Sequence, residues 1–162
     1  MSQGLSFNST FRLAVLVGLW LLVSAHTWAA ELIFERLLTD DSNTQDNISA
    51  ITAINQDQQG FMWFGGENGL ARYDGHNWQF YHEGDAAAGA LTGNFITDIQ
   101  VDRTGVLWVA SQKGLNRYDP VRNRFEGFVH DAHNACSLGD NFFRSIAVDK
   151  NYNLWLASYN GL

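Results

Sequence analysis

The chain has 162 residues, of which 46% are hydrophobic and 14% aromatic, and its formal net charge at pH 7 is −7. This apolar content is enough to bury a core and excludes a disordered protein. The acidic balance argues against a nucleic-acid partner, because binding to phosphates requires an excess of Lys and Arg. The single cysteine, Cys136, excludes an intrachain disulfide and a cysteine-based metal cluster, and we expect it to be buried as a small apolar residue.

Residues 1–30 have the order of a secretory signal peptide. Arg12 precedes an apolar run of 11 residues, Leu13 to Val23, and small residues follow it as far as Ala29 and Ala30. This run is short for a bilayer core of roughly 30 Å. The pattern therefore predicts export, and it leaves open whether the segment is cleaved or remains as an anchor.

The earliest strand-like segment of the exported part runs from Ile33 to Leu38. It begins 16 residues before Ser49, and later in the chain the same distance separates Trp78 from Asn94 and Phe125 from Asn141. Trp78 and Phe125 each begin an outer, fourth strand, as described below. The segment 33–38 is therefore predicted to be a fourth strand without its own first three strands.

From residue 49 onward one pattern occurs three times. Each copy has an Asp, a Trp six residues later and a Gly six residues after that Trp, and the Asp residues, which lie 45 and 47 residues apart, are Asp57, Asp102 and Asp149. A period of this length with recurring Trp and Gly is typical of a β-propeller blade. The sequence predicts an all-β fold of four-stranded antiparallel blades with an incomplete ring: blade 1 at 49–81, blade 2 at 94–128 and an incomplete blade 3 at 141–162.

The alignment of the three copies also predicts the strands. First strands are expected at 49–54, 94–99 and 141–146, second strands at 61–64, 106–109 and 153–156, third strands at 69–73 and 114–118, and fourth strands at 78–81 and 125–128. The second strands are apolar at nearly every position, which predicts that both of their faces are covered. The Trp of each second strand is therefore expected to lie in the core between blades.

The repeated Asp and Gly residues are predicted to have structural roles. An Asp at the first position of a turn can bind the backbone of the turn, and Gly at the fourth position is typical of a type I turn. The third copy has Tyr152 where the others have Gly60 and Gly105, so a different turn is expected there. The positions assigned to the structural repeat are Asp57, Gly60, Trp63, Gly69, Tyr73, Asp102, Gly105, Trp108, Gly114, Tyr118, Asp149, Trp155 and Gly161.

An isolated outer strand at 33–38 would complete the last blade of a propeller and close the ring, which removes an open sheet edge. The third repeat stops midway at Leu162. The sequence is therefore expected to be the amino-terminal part of a longer propeller protein, whose number of blades stays open.

Other side-chain clusters receive structural interpretations. The groups His82-Glu83-x-Asp85 and His130-Asp131-x-His133 lie in loops, and they are interpreted as solvated residues because no third or fourth ligand recurs at a fixed spacing. The sequence Gly65-Gly66-Glu67-Asn68 resembles a damaged diguanylate cyclase motif, but the aligned positions of the other repeats differ, which indicates a turn. No catalytic residues, metal site or cofactor are predicted, and the ligand-binding residues stay unknown.

The most complete copy carries a family resemblance. Ile54-x-x-Asp57-x-x-Gly60-Phe-Met-Trp63-Phe-Gly, with Gly69-Leu-x-Arg-Tyr-Asp74-Gly, resembles the two-component regulator propeller repeat, and the resemblance covers the exported part of the chain. In that family the repeats form periplasmic propellers, which are followed by a β-sandwich, a membrane span and a cytoplasmic histidine kinase or diguanylate cyclase. The resemblance implies the extracytoplasmic sensor region of a bacterial membrane receptor.

The expected function is ligand sensing or signal transmission at the periplasmic face of the inner membrane, with no enzyme activity in this chain. The resemblance implies an unidentified periplasmic ligand, for which a carbohydrate is one candidate, and a homodimer of the whole receptor that reaches the membrane through a span farther along the protein. Two alternatives stay open at this stage: a secreted propeller enzyme, either a lyase or a hydrolase, and a protein-binding scaffold.

Overall fold

The computed structural model describes residues 48–84 and 89–161, and within them every regular element is a β-strand. The first sheet contains β1 (Ala53–Gln56), β2 (Met62–Gly66), β3 (Gly69–Tyr73) and β4 (Trp78–Tyr81); the second contains β5 (Ile96–Val101), β6 (Leu107–Ser111), β7 (Gly114–Asp119) and β8 (Arg124–Phe128); the third contains β9 (Phe143–Val148) and β10 (Leu154–Ser158). The residues predicted as signal peptide, 1–30, and as closing strand, 33–38, lie outside the described part of the chain.

Each sheet is antiparallel, and its strands are neighbours in the order in which they follow one another along the chain. This is the arrangement of propeller blades, so the predicted all-β fold class is confirmed. No helix that could cross a membrane occurs in the described ranges. The first strands begin two to four residues later than predicted; in the first sheet Ala50 has a φ of 45°, which is incompatible with an extended strand.

Two apolar clusters lie where neighbouring sheets meet. The larger one joins the first and second sheets through residues such as Trp63, Tyr81, Ile99, Val109 and Phe125, all of them buried. The smaller one joins the second and third sheets through Ala110, Leu115, Phe143 and Ile146. Sheet-to-sheet packing therefore covers both faces of β6, as its apolar sequence predicts.

Close approach of the first two sheets depends on a small residue in β2. A Cβ atom added at Gly65 would lie 2.5 Å from the Cγ2 atom of Ile96, which is too close for any side chain without movement of the neighbouring sheet. The aligned position of the second sheet holds Ala110, which is fully buried. The first interface therefore requires a glycine where the aligned position of the second sheet accommodates a methyl group.

Two burial predictions are wrong. Trp63 is 0% exposed and Trp108 is half-buried, but Trp155 is 51% exposed, because no sheet covers its side of β10 in the described residues. Cys136 is exposed, since it lies in the loop between β8 and β9 and not under a sheet.

Candidate functional site

The turn between the first two strands of each sheet is organised by a carboxylate. Asp57 accepts hydrogen bonds at Oδ1 from the backbone N–H groups of Gln59 and Phe61, at 2.9 and 3.0 Å, and at Oδ2 from the indole N–H of Trp63, at 2.8 Å. The turn itself is closed by the N–H of Gly60, which donates to the carbonyl of Asp57 at 3.1 Å. One side chain thus connects the turn to the core aromatic residue of the following strand.

The other two copies repeat this unit. The indole of Trp108 donates to Asp102 Oδ2 at 3.1 Å, and that of Trp155 donates to Asp149 Oδ2 at 3.2 Å. Sequence reasoning had assigned the Asp residues to the turns and the Trp residues to the core, and it missed the bond between them. The constant spacing of six residues between Asp and Trp was the signal for that bond.

A different turn was expected in the third copy, but the structure shows the same turn as in the other two. Tyr152 has a φ of 67°, close to the 91° and 87° of Gly60 and Gly105, and its N–H closes the turn on the carbonyl of Asp149 at 3.2 Å. A side chain in this left-handed region is disfavoured by roughly 1 to 2 kcal/mol. The bonds of the Asp149 carboxylate therefore hold the turn in a conformation that a non-glycine residue disfavours.

The same bonds shift the acidity of the turn carboxylates. Burial raises the pKa of Asp102, but hydrogen bonds from the Thr104 hydroxyl and the Trp108 indole outweigh it and lower the pKa overall. Bonds from the side chain and backbone of Asn153, together with the Trp155 indole, lower the pKa of Asp149 to about 2. Both groups therefore stay ionised in the folded protein at pH values where a free carboxyl group is partly protonated.

We expect the third turn to loosen only in strong acid. A lowered folded-state pKa means that the stability contributed by Asp149 is fully present above pH 3.8 and is lost as the pH falls through about 2. The indole N–H resonance of Trp155, followed by NMR between pH 5 and 1.5, should therefore move with a midpoint near the pKa of Asp149. An Asp149→Asn variant is the control, and a midpoint at an ordinary carboxyl pKa would contradict the bonded turn.

The glycines that begin the third strands also take positive φ, with values of 118°, 148° and 116° at Gly69, Gly114 and Gly161. A Cβ atom at Gly69 would lie 2.6 Å from the carbonyl oxygen of Tyr81, and one at Gly114 would lie 2.5 Å from that of Phe128. Gly69 and Gly114 therefore need to be glycine both for backbone conformation and for the close approach of the fourth strand, whereas at Gly161 only the backbone conformation requires it.

A hydrogen-bonded network joins the first and second sheets. Asn123 Oδ1 accepts the hydroxyl protons of both Tyr81 and Tyr118, at 2.8 and 2.7 Å, and the Tyr118 hydroxyl accepts a bond from Arg72 at 2.7 Å. Burial and the neighbouring Tyr118 raise the pKa of Tyr81, which keeps its hydroxyl protonated as a donor. Tyr73, the position in the first sheet that aligns with Tyr118, instead stacks on Trp78 and donates to the carbonyl of Gly75 at 2.7 Å.

The first strands of neighbouring sheets are joined by bonds that repeat. The hydroxyl of Thr52 donates to the carbonyl of Ile96 at 2.6 Å, and the hydroxyl of the aligned Thr97 donates to the carbonyl of Phe143 at 2.6 Å. Between the second and third sheets Asp98 Oδ2 adds two bonds, from the hydroxyl of Ser145 at 2.8 Å and the N–H of Ile146 at 2.7 Å. These bonds connect the first-strand segment of each sheet to that of the next sheet.

The two loop segments that contain His and acidic residues, 82–85 and 130–133, form hydrogen bonds and an ion pair within their own loops or with a neighbouring turn. The N–H of His130 donates to Asn141 Oδ1 at 2.6 Å, and the N–H of His133 donates to Asp131 Oδ1 at 2.9 Å. Glu83 forms an exposed ion pair with Lys113 at 2.7 Å. Asp85 lies outside the described residues, and among those described no three His, Cys, Asp or Glu side chains are placed to share a metal ion.

A surface groove of about 920 Å³ runs along the outer strands β7 and β8. Its charged residues are largely paired with each other: Arg117 binds Glu126 at 2.5 Å, and Arg122 binds Asp119 at 2.9 Å. These pairs are exposed to solvent, where an ion pair contributes little. The groove is also lined by Arg124, which forms no ion pair among the described residues.

The three repeats match a known family model. The family model described as two component regulator propeller matches residues 46–68, 90–113 and 137–160, each of which includes a first strand and a second strand. A search of the curated proteins found no match.

Solved structures show the same fold. A structure titled as the extracellular domain of a hybrid two component system from B. thetaiotaomicron is 29% identical with a TM-score of 0.63; the match covers 70% of this chain and 16% of that one. Virginiamycin B lyase from Staphylococcus aureus is 15% identical with a TM-score of 0.53, over 81% of this chain and 43% of that one, which supports the fold alone. The chain thus spans a small part of the length of the first of these proteins.

Proposed function

Because this chain carries three two component regulator propeller repeats, we propose that it is a ligand-sensing or signal-transmitting region of a bacterial membrane receptor, located outside the cytoplasm. The observation that carries the proposal is the agreement between the three matched segments and three successive sheets. The related B. thetaiotaomicron structure is titled as an extracellular domain of a hybrid two component system, which supports the location and the role. The described residues would act by binding and by transmitting conformational change, without chemistry of their own.

The signal would arise from a difference in affinity. A ligand bound at the propeller can shift the receptor between two arrangements only if it binds one arrangement more tightly than the other. The bonds between sheets at Thr52, Thr97 and Asp98 connect each blade to the next, so a ligand that contacts one first strand would also act on its neighbour.

We expect residues 1–40 to direct export. Fused to alkaline phosphatase, which is active only outside the cytoplasm, the segment should give an active enzyme, whereas a β-galactosidase fusion at the same residue should be inactive. The matched control replaces Leu16 and Leu19 with Asp, which interrupts the apolar run that export requires. The reverse pattern of activities in the unmodified fusions would remove the extracytoplasmic location.

The sensor role needs a separate test in a receptor. The propeller can be placed before the membrane span and kinase of a related hybrid two component system, and the output can be read from a reporter gene. The expected result is an output that changes when the propeller is deleted or when the pair Asp98→Ala and Thr97→Ala weakens the bonds between sheets. Unchanged output at matched receptor levels would contradict signal transmission through this region.

A further inference from the structure

The three repeats provide an internal comparison for each exposed position. Thr52 and Thr97 align with Arg144 in the third repeat, and Glu67 and Gln112 align with Tyr159. The two Thr residues bind the carbonyl of the next first strand, so a short hydroxyl side chain is what the bond between sheets requires. Arg144 and Tyr159 therefore differ in residue type from the aligned positions of the other two repeats, and the fold of the sheet does not require an Arg or a Tyr there.

Arg144 and Tyr159 contact each other. The guanidinium carbon of Arg144 lies 4.3 Å from the centre of the Tyr159 ring, and the Arg144 side chain also donates a hydrogen bond to the Tyr159 hydroxyl. The ring of Phe142 stacks on that of Tyr159, with centres 4.9 Å apart and planes inclined by 20°. The result is an aromatic pair with a positioned guanidinium beside it, which we call the Arg144 cluster.

The Arg144 cluster is exposed to solvent, and its positive charge is not paired with a carboxylate in the described residues. Tyr159 is 66% exposed, and Arg144 is exposed as well. Among the described residues no carboxylate forms an ion pair with Arg144. The carboxylate of Asp140, which precedes the cluster in the chain, already accepts bonds from the N–H groups of Asn141 and Phe142 and from the Asn160 amide, at 2.7, 3.2 and 2.9 Å.

We propose that the Arg144 cluster binds a ring that carries a carboxylate group. A guanidinium presents N–H donors in a planar fork that matches the two oxygens of a carboxylate, and only part of this fork is used by Tyr159. An exposed aromatic ring offers a flat apolar surface on which the ring of the ligand can stack. The cluster combines both features at the end of the third sheet where β9 begins and β10 ends, and it provides a local positive charge in a chain that is negatively charged overall.

The proposal deepens the ligand-sensing form of the proposed function, on which it rests, because it names a class of ligand and the residues that would bind it. Binding is measured on the chain itself, so the result is independent of the export and receptor experiments. The probes are glucuronate, benzoate and glucose: the first two carry a carboxylate on a sugar ring and on a flat aromatic ring, and glucose is a sugar ring without a carboxylate.

The test is an NMR titration of the full chain and of two variants that restore the residues of the other repeats. We expect at least one carboxylate probe to bind with a dissociation constant on the order of 1 mM, and Arg144→Thr to weaken it about tenfold or more. Tyr159→Gln should weaken it less and should reduce the shifts of the ligand's ring protons. Arg103→Thr removes one positive charge from a distant exposed turn and should leave binding unchanged.

The titration separates the possible outcomes. Stronger binding of glucuronate than of benzoate identifies a sugar acid, and the opposite order identifies an aromatic acid; both support the proposal. Equal binding of glucose, equal loss in Arg103→Thr and Arg144→Thr, or no binding of either carboxylate overturns it. Because Thr and Gln occupy these positions in the folded first or second repeat, loss of folding is not expected to obscure the result.

Discussion

Replacing Trp63 with Ala is expected to lower the free energy of unfolding by about 3 to 5 kcal/mol, the usual cost of removing a large buried aromatic side chain. Trp63 is 0% exposed and packs against Tyr81, Tyr118 and Phe125, with ring centres 4.9 to 6.2 Å apart. Its indole N–H also holds the Asp57 carboxylate, so the variant leaves one acceptor of the turn without its donor.

The two other Trp residues are matched controls, since they occupy the same position of the repeat and form the same bond to Asp. Trp108→Ala should cost less than Trp63→Ala, and Trp155→Ala, with a half-exposed indole, should cost about 1 kcal/mol or less. Arg103→Ala, in an exposed turn, should change stability by about 0.5 kcal/mol or less. Chemical denaturation of the four variants measures the order, and equal losses at all three Trp positions would show that burial between sheets does not set the cost.

Replacing Asn123 with Ala is expected to have the next largest effect, about 2 to 4 kcal/mol. The variant removes the acceptor of both tyrosine hydroxyls, and a buried donor without a partner costs about 1 to 3 kcal/mol. Asn123 also has a φ of 50°, a conformation that Asn tolerates better than Ala. The hydroxyl proton left without an acceptor should cost most at Tyr81, which is 0% exposed, since Tyr118 is 8% exposed.

Two further variants separate the hydrogen bonds from the backbone strain. Asn123→Gly removes the acceptor but tolerates the positive φ, so it should remain clearly less stable than the natural protein. Tyr81→Phe should be costly by itself and nearly neutral in the presence of Asn123→Ala, because the unpaired hydroxyl has then been removed. Full recovery in Asn123→Gly, or additive effects in the double variant, would show that the hydroxyl bonds contribute little.

The turns and hairpins could be predicted because their interactions are local. Asp57 and Trp63 are six residues apart, and the same short spacing places an Asp beside a Trp in every copy. The hairpin glycines likewise need positive φ for reasons contained in a few residues of chain. The residue at the fourth position of the turn was less informative, since Tyr152 adopts the conformation of Gly60 once the Asp149 carboxylate binds the turn.

The sequence by itself determined the repeat length, the four-strand unit and the family resemblance, because these depend on spacings within one copy. Only the tertiary structure decided that Trp63 is buried while Trp155 is half-exposed, since the cover of each indole comes from a neighbouring sheet and not from its own strand. The tertiary structure also decided that Asn123 accepts a hydrogen bond from Tyr81, 42 residues away, and that Arg144 contacts Tyr159, 15 residues away. The first of these contacts depends on how whole sheets pack, and the second on the pairing of β9 with β10. Aligned repeats carry no record of which copy has a neighbour on each face.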